Sequence, residues 1–106
     1  MGRVVIAAFK PKPAKQQQLL AVVEKHWGIL QAQGLVTERP RYAMHAADGT
    51  VIEVFEWRSP EAIEQAHHNP AVVALWAEFE AVCDYVPVSA LAESQQPFSE
   101  FQALPF

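Results

Sequence analysis

Apolar positions recur along this chain with three different rhythms, and each rhythm predicts one kind of element. Val4 to Phe9 is apolar without a break, rich in β-branched residues, and ends at Lys10-Pro-Lys-Pro13. This predicts a first strand over Arg3 to Phe9, covered by helices on one face and by a partner subunit on the other. From Ala14 to Gln33 the rhythm changes: Leu19, Val23, Trp27 and Leu30 follow at spacings of four, four and three. That is one face of a helix about five turns long. Pro13 suits its entry, and Gly34 suits the left-handed residue just past its end.

Arg41 to Ala46 and Val51 to Trp57 are extended runs on either side of Ala47-Asp-Gly-Thr50. Asp-Gly between two such runs predicts a tight hairpin, so the strands are adjacent and antiparallel. In the second run Val51, Glu53, Phe55 and Trp57 share one face. Glu53 thus looks to the same side as two aromatics, unlike a residue on a solvent face. Ser59-Pro-Glu61 then starts a helix, with an N-cap, a proline at the first position and an acid in the positive first turn. Asn69-Pro70 repeats the start signal, so the helix from Pro60 to His68 stops there and another begins. Val72, Leu75, Trp76, Phe79 and Val82 give the new helix a broad apolar face, and Asp84 to Leu91 reads as the last strand.

The order β-α-β-β-α-β predicts an α+β, ferredoxin-like domain over residues 1–91, an antiparallel sheet with its helices on one face. Residues 92–106 lie outside that frame and carry Phe98, Phe101 and Phe106. The expectation is an aromatic arm laid over a neighbouring subunit through Phe98 and Phe101; a disordered end is the alternative.

Composition narrows the function classes. A chain of 106 residues makes one domain, and 51% apolar against 19% charged residues makes it globular. A formal charge of −4 with scattered Lys and Arg argues against nucleic acid. Arg39 and Arg41 offer either a local anion site or a solvated strand edge. The single cysteine, Cys83, has no intrachain partner and fits a reducing cytoplasm. Its apolar surroundings predict a buried, inert thiol. Val4 to Phe9 is too short for a signal peptide or a membrane span.

Motif chemistry is sparse. The glycines are isolated, so there is no phosphate loop, and no serine sits in a nucleophile elbow. His26, His45, His67 and His68 include no pair three or four apart, and neighbours on a helix diverge by about 100°, so no metal site is expected. His67 follows Ile63 by one turn, which places it on the inward stripe as a candidate proton acceptor. The alternative is a helix-end His bonded to a carbonyl near Asn69. His26 and His45 read as structural. Trp27, Trp57 and Trp76 come from three elements that meet between helices and sheet. They serve either as core or as walls of a flat apolar pocket, with Tyr42, Tyr85 and Glu53 as polar anchors.

With these motifs in place, the segment Val51 to Phe79 resembles the antibiotic biosynthesis monooxygenase-like family of dimeric α/β barrels. The matching features are Glu53-Val-Phe-Glu-Trp57, the Ser59-Pro-Glu-Ala helix start, and the His67/Asn69-Pro70 break before an aromatic-bearing helix. The frame from Arg3 to Leu91 fits as well. The resemblance implies a homodimer whose two sheets pack into a barrel, with a pocket in each subunit between helices and sheet. Some members oxidise polycyclic phenols with molecular oxygen and no cofactor; others cleave haem. The haem-degrading members carry an Asn in the first strand and a His in the last helix, and this chain has neither. For the cofactor-free oxygenases the resemblance makes Trp57, Trp76, Tyr42 and Asn69 candidate pocket residues.

Two functions follow. One is a cofactor-free monooxygenase for a small aromatic or polyketide-like substrate, with His67 generating the reactive anion. The other is a non-catalytic ligand-binding or structural homodimer whose helix–sheet layer is packed solid.

Overall fold

A computed structural model describes residues 2–106. The elements run β1 (Arg3–Pro11), α1 (Gln16–Ala32), β2 (Tyr42–His45), β3 (Val51–Trp57), α2 (Pro60–Ala66), α3 (Pro70–Val82), β4 (Cys83–Val86) and β5 (Gln102–Ala103). The strands form one sheet in the order β4-β1-β3-β2-β5, and every neighbouring pair is antiparallel. The first four strands and their helices make the ferredoxin-like α+β frame, and β5 extends it past β2.

Local chemistry sets the element ends. The hairpin between β2 and β3 closes on Asp48-Gly49. Gly49 takes the positive φ of 91° that its turn requires, and the Asp48 carboxylate accepts from the Thr50 amide (2.8 Å). Ser59 caps α2 by accepting from the Ala62 amide (3.1 Å). Asn69 caps α3 by accepting from the amides of Ala71 and Val72 (3.0 and 3.2 Å). The last strand expected over Asp84 to Leu91 is shorter, because Pro87 has no N–H for the ladder and a 3₁₀ turn follows over Val88–Ala90.

Register decides which side chains meet the helices. Val5, Ala7 and Phe9 of β1 lie opposite Phe55, Glu53 and Val51 of β3, and this face packs against α1, α2 and α3 in two apolar clusters. The other face of the sheet carries Val4, Ile6 and Ala8 opposite Glu56, Val54 and Ile52. Val4 and Ile6 are 57% and 53% exposed there.

Residues 92–106 wrap their own subunit. Leu91 and Phe101 join Ala8, Ala46 and Ile52 on the outer face. Then β5 pairs with β2, and the Leu104 amide donates to the Ala43 carbonyl (2.9 Å). Leu104 and Phe106 finish against the helix-side core. Phe101, expected on a partner, therefore packs on the chain's own sheet, while Phe98 is 88% exposed. Among the described residues no helix is long and apolar enough to cross a membrane.

Candidate functional site

A cavity of about 300 Å³ opens between the helices and the inner sheet face, at the small end of the range that ligand pockets occupy. Its floor is Val5, Ala7 and Phe9 of β1 with Phe55 and Trp57 of β3; its roof is His26 of α1 with Trp76 and Phe79 of α3. Glu80 and Tyr85 complete the rim. Small residues on β1 leave the space, and aromatic rings on β3 and α3 form its walls.

His26 is the imidazole that lines this cavity. It belongs to the buried stripe of α1, four residues after Val22 and four before Leu30. Three aromatic rings pack edge-on around it, Phe79 at 4.9 Å, Phe55 at 5.5 Å and Phe9 at 6.4 Å between centroids. Its Nδ1 lies 2.6 Å from Glu53 Oε1. Arg41 Nη1 donates to the other carboxylate oxygen of Glu53, also at 2.6 Å. A carboxylate paired with a guanidinium is an acceptor, so Nδ1 carries the proton and donates. With Nδ1 turned to Glu53, Nε2 is the ring nitrogen left for a ligand, and His26 lines the cavity. It is the one imidazole among lining residues that are otherwise aromatic or aliphatic, apart from the Glu80 carboxylate at the rim.

Glu53 is 0% exposed, as deep as any residue in the core. It sits between Ala7 on β1 and Ala43 on β2, whose methyl side chains leave room for a carboxylate. Arg41 is anchored in turn: Nη1 also donates to the Val23 carbonyl, and Nη2 donates to the Glu24 carbonyl (2.9 Å). Both backbone groups belong to α1, so the helix bearing His26 also holds the cation behind Glu53. A buried carboxylate held by a guanidinium on one oxygen and an imidazole on the other is costly to strip of a partner, about 3–5 kcal/mol.

The rim adds a donor. Partial burial pushes the Tyr85 phenol up to about 12, with Glu80 adding to the shift, so its hydroxyl keeps its proton at neutral pH. Among the described residues no three His, Cys, Asp or Glu side chains converge as a metal site.

The residues singled out from the sequence separate into two groups. Trp57 and Trp76 line the cavity, and Glu53 lies directly behind it, bonded to His26. The others stand elsewhere. His67 is exposed at the end of α2, because the buried stripe of that helix runs through Ala62 and Ala66 instead of Ile63. Its ring packs against the far side of the layer through Trp76, 5.0 Å between centroids. Tyr42 is 75% exposed on the outer sheet face, and Asn69 is engaged as the α3 cap and as a donor to Gln33 (2.9 Å). Of the two readings of Arg39 and Arg41, the anion site finds no support: Arg39 is exposed and pairs with Glu56 (3.0 Å), and Arg41 pairs with Glu53. The residue missed was His26. Its signal was present in the Val22–His26–Leu30 spacing, masked by reading the helix stripe through the neighbouring Trp27.

No family model matches this chain, and no curated protein matches it. Among solved structures it is similar to Rv0793 from Mycobacterium tuberculosis, with a TM-score of 0.66 at 20% sequence identity over 81% of this chain and 89% of that one. At that identity the likeness is one of fold: the chain is a ferredoxin-like α+β domain that shares its architecture with the mycobacterial protein.

Proposed function

We propose that this protein is a cofactor-free monooxygenase of the antibiotic biosynthesis monooxygenase-like type, acting on a small phenolic ring system. The observation that carries the reading is the Arg41–Glu53–His26 chain ending at an imidazole that lines an aromatic cavity. Flat apolar walls favour a planar ligand. The rim carries the Glu80 carboxylate, and Arg41 is spent on Glu53, so a neutral molecule is favoured over an anion. His26 Nε2 then takes the phenolic proton, and Glu53 offsets the charge that develops on the ring. The resulting phenolate adds dioxygen at a ring carbon. Loss of water from the peroxide leaves a quinone, so one oxygen atom enters the product, the other leaves as water, and no external reductant is consumed.

The proton-accepting role thus moves from His67 to His26, with His67 supporting the Trp76 wall. Residues 1–91 carry the site, and 92–106 act as an arm. The same reading includes a homodimer, because Val4, Ile6 and Tyr42 leave the part of the outer sheet face beyond Leu91 and Phe101 apolar and uncovered. A reducing, cytoplasmic setting suits the single buried thiol of Cys83.

The test is oxygen uptake with a panel of hydroxylated naphthalenes. Wild type consumes oxygen, His26→Ala lowers the rate by about 10²–10⁴, and His67→Ala stays near wild type. Uptake that is unaffected by His26→Ala would overturn the assignment. Saturable binding with no uptake by wild type would leave a ligand-binding dimer in its place.

A further inference from the structure

The arm does more than cover the sheet edge. After β5, Leu104 is pinned to Ala43 by its amide, and the chain turns onto the helix side, where the Phe106 ring lies against Arg41, 5.3 Å from guanidinium carbon to centroid. Arg41 is the outermost member of the chain that ends at His26, and its side chain is only 9% exposed. Its planar faces are left free by its edge-on bonds to Glu53, Val23 and Glu24, and an aromatic ring attracts a cation through such a face.

We infer that Phe106 is a positioning residue for His26: its ring holds the Arg41 guanidinium, Arg41 fixes Glu53, and Glu53 fixes the tautomer and orientation of the imidazole. The ring excludes water from one side of the guanidinium, which strengthens the attraction between Arg41 and Glu53. Without it, water reaches Arg41, the Glu53 carboxylate gains a competing solvation shell, and the Nδ1–H bond opens more often. The active geometry is then set partly by a residue about fifty positions from Glu53 in sequence. The inference builds on the proposed role of His26 but is read out without substrate.

The experiment is solvent exchange of the His26 Nδ1 proton, followed by NMR on the isotopically labelled full chain. Wild type shows a protected imidazole proton. Phe106→Leu keeps an apolar side chain against the core but removes the ring, and exchange rises by roughly tenfold, the factor that a partly desolvated cation–π contact corresponds to. Phe106→Tyr restores protection. The Leu104 amide exchanges alike in all three, which separates loss of the ring from loss of the arm. Equal protection in wild type and Phe106→Leu would overturn the inference, as would an unprotected Nδ1 proton in wild type. If protection follows the ring while oxygen uptake fails, the proposed function falls and the positioning role stands.

Discussion

At Glu53 the second hairpin strand carries a carboxylate between Ala7 and Ala43 into full burial, where an unpaired charge would not be tolerated. Its two oxygens are taken by His26 and Arg41, so burial, ion pair and imidazole orientation are one arrangement. Its odd position beside Phe55 and Trp57 was legible in the strand alternation. Its partner was not, because a single helix stripe admits two registers one residue apart, and only the packing of α1 selects His26 over Trp27. Cys83 is the opposite case, a buried group kept out of chemistry. It donates to the Phe79 carbonyl (3.1 Å), and burial, helped by the Asp84 charge, pushes its thiol up from 9.0 to about 11. A raised folded value means that the proton is bound more tightly in the native state. Its stabilising effect is therefore complete below pH 9.0 and is lost as pH climbs toward about 11. Urea denaturation across that interval should show a steeper alkaline loss of stability in wild type than in Cys83→Ala; parallel curves would contradict the assignment.

Among the elements, those with complete start signals matched their expected positions. Val51–Trp57 is a strand throughout, and Ser59-Pro60 and Asn69-Pro70 each open a helix with the cap bonded as its residue type predicts. The break between α2 and α3 bends the chain so that Trp76 can reach the cavity. Asn69 is thus a structural hinge of the site, though it stands apart from the cavity itself. Asn69→Ala removes two capping bonds and the bond to Gln33, and should cost about 0.5–2 kcal/mol in chemical denaturation. Asn69→Asp, which keeps the capping oxygen, should recover most of that loss. The ends of β4 and the path of residues 92–106 were less legible. A strand of apolar residues and a 3₁₀ turn look alike until Pro87 is placed in its ladder, and an aromatic tail does not reveal which apolar surface it covers.

For the whole molecule, the sheet has one face closed by helices and one face half closed by Leu91 and Phe101. Val4, Ile6 and Tyr42 remain outside that cover. A second copy of the same face would bury them, so light scattering at micromolar concentration should give about twice the chain mass of 11.8 kDa. Ile6→Lys, which places a charge in the middle of that face, should shift the population toward monomer. A wild-type protein that scatters only as a monomer would contradict the dimer. The cavity opens on the opposite side of the sheet from this face, so assembly and proton transfer use separate surfaces. The central claim is that transfer, and the most direct measurement is the absorption difference spectrum of 2-naphthol bound at neutral pH, whose neutral and anionic forms absorb differently. A saturable naphtholate band is expected with the wild-type protein, and its loss in His26→Gln, which retains hydrogen bonding but not basicity. A bound ligand that stays neutral, or an anionic band that persists unchanged in His26→Gln, would contradict it.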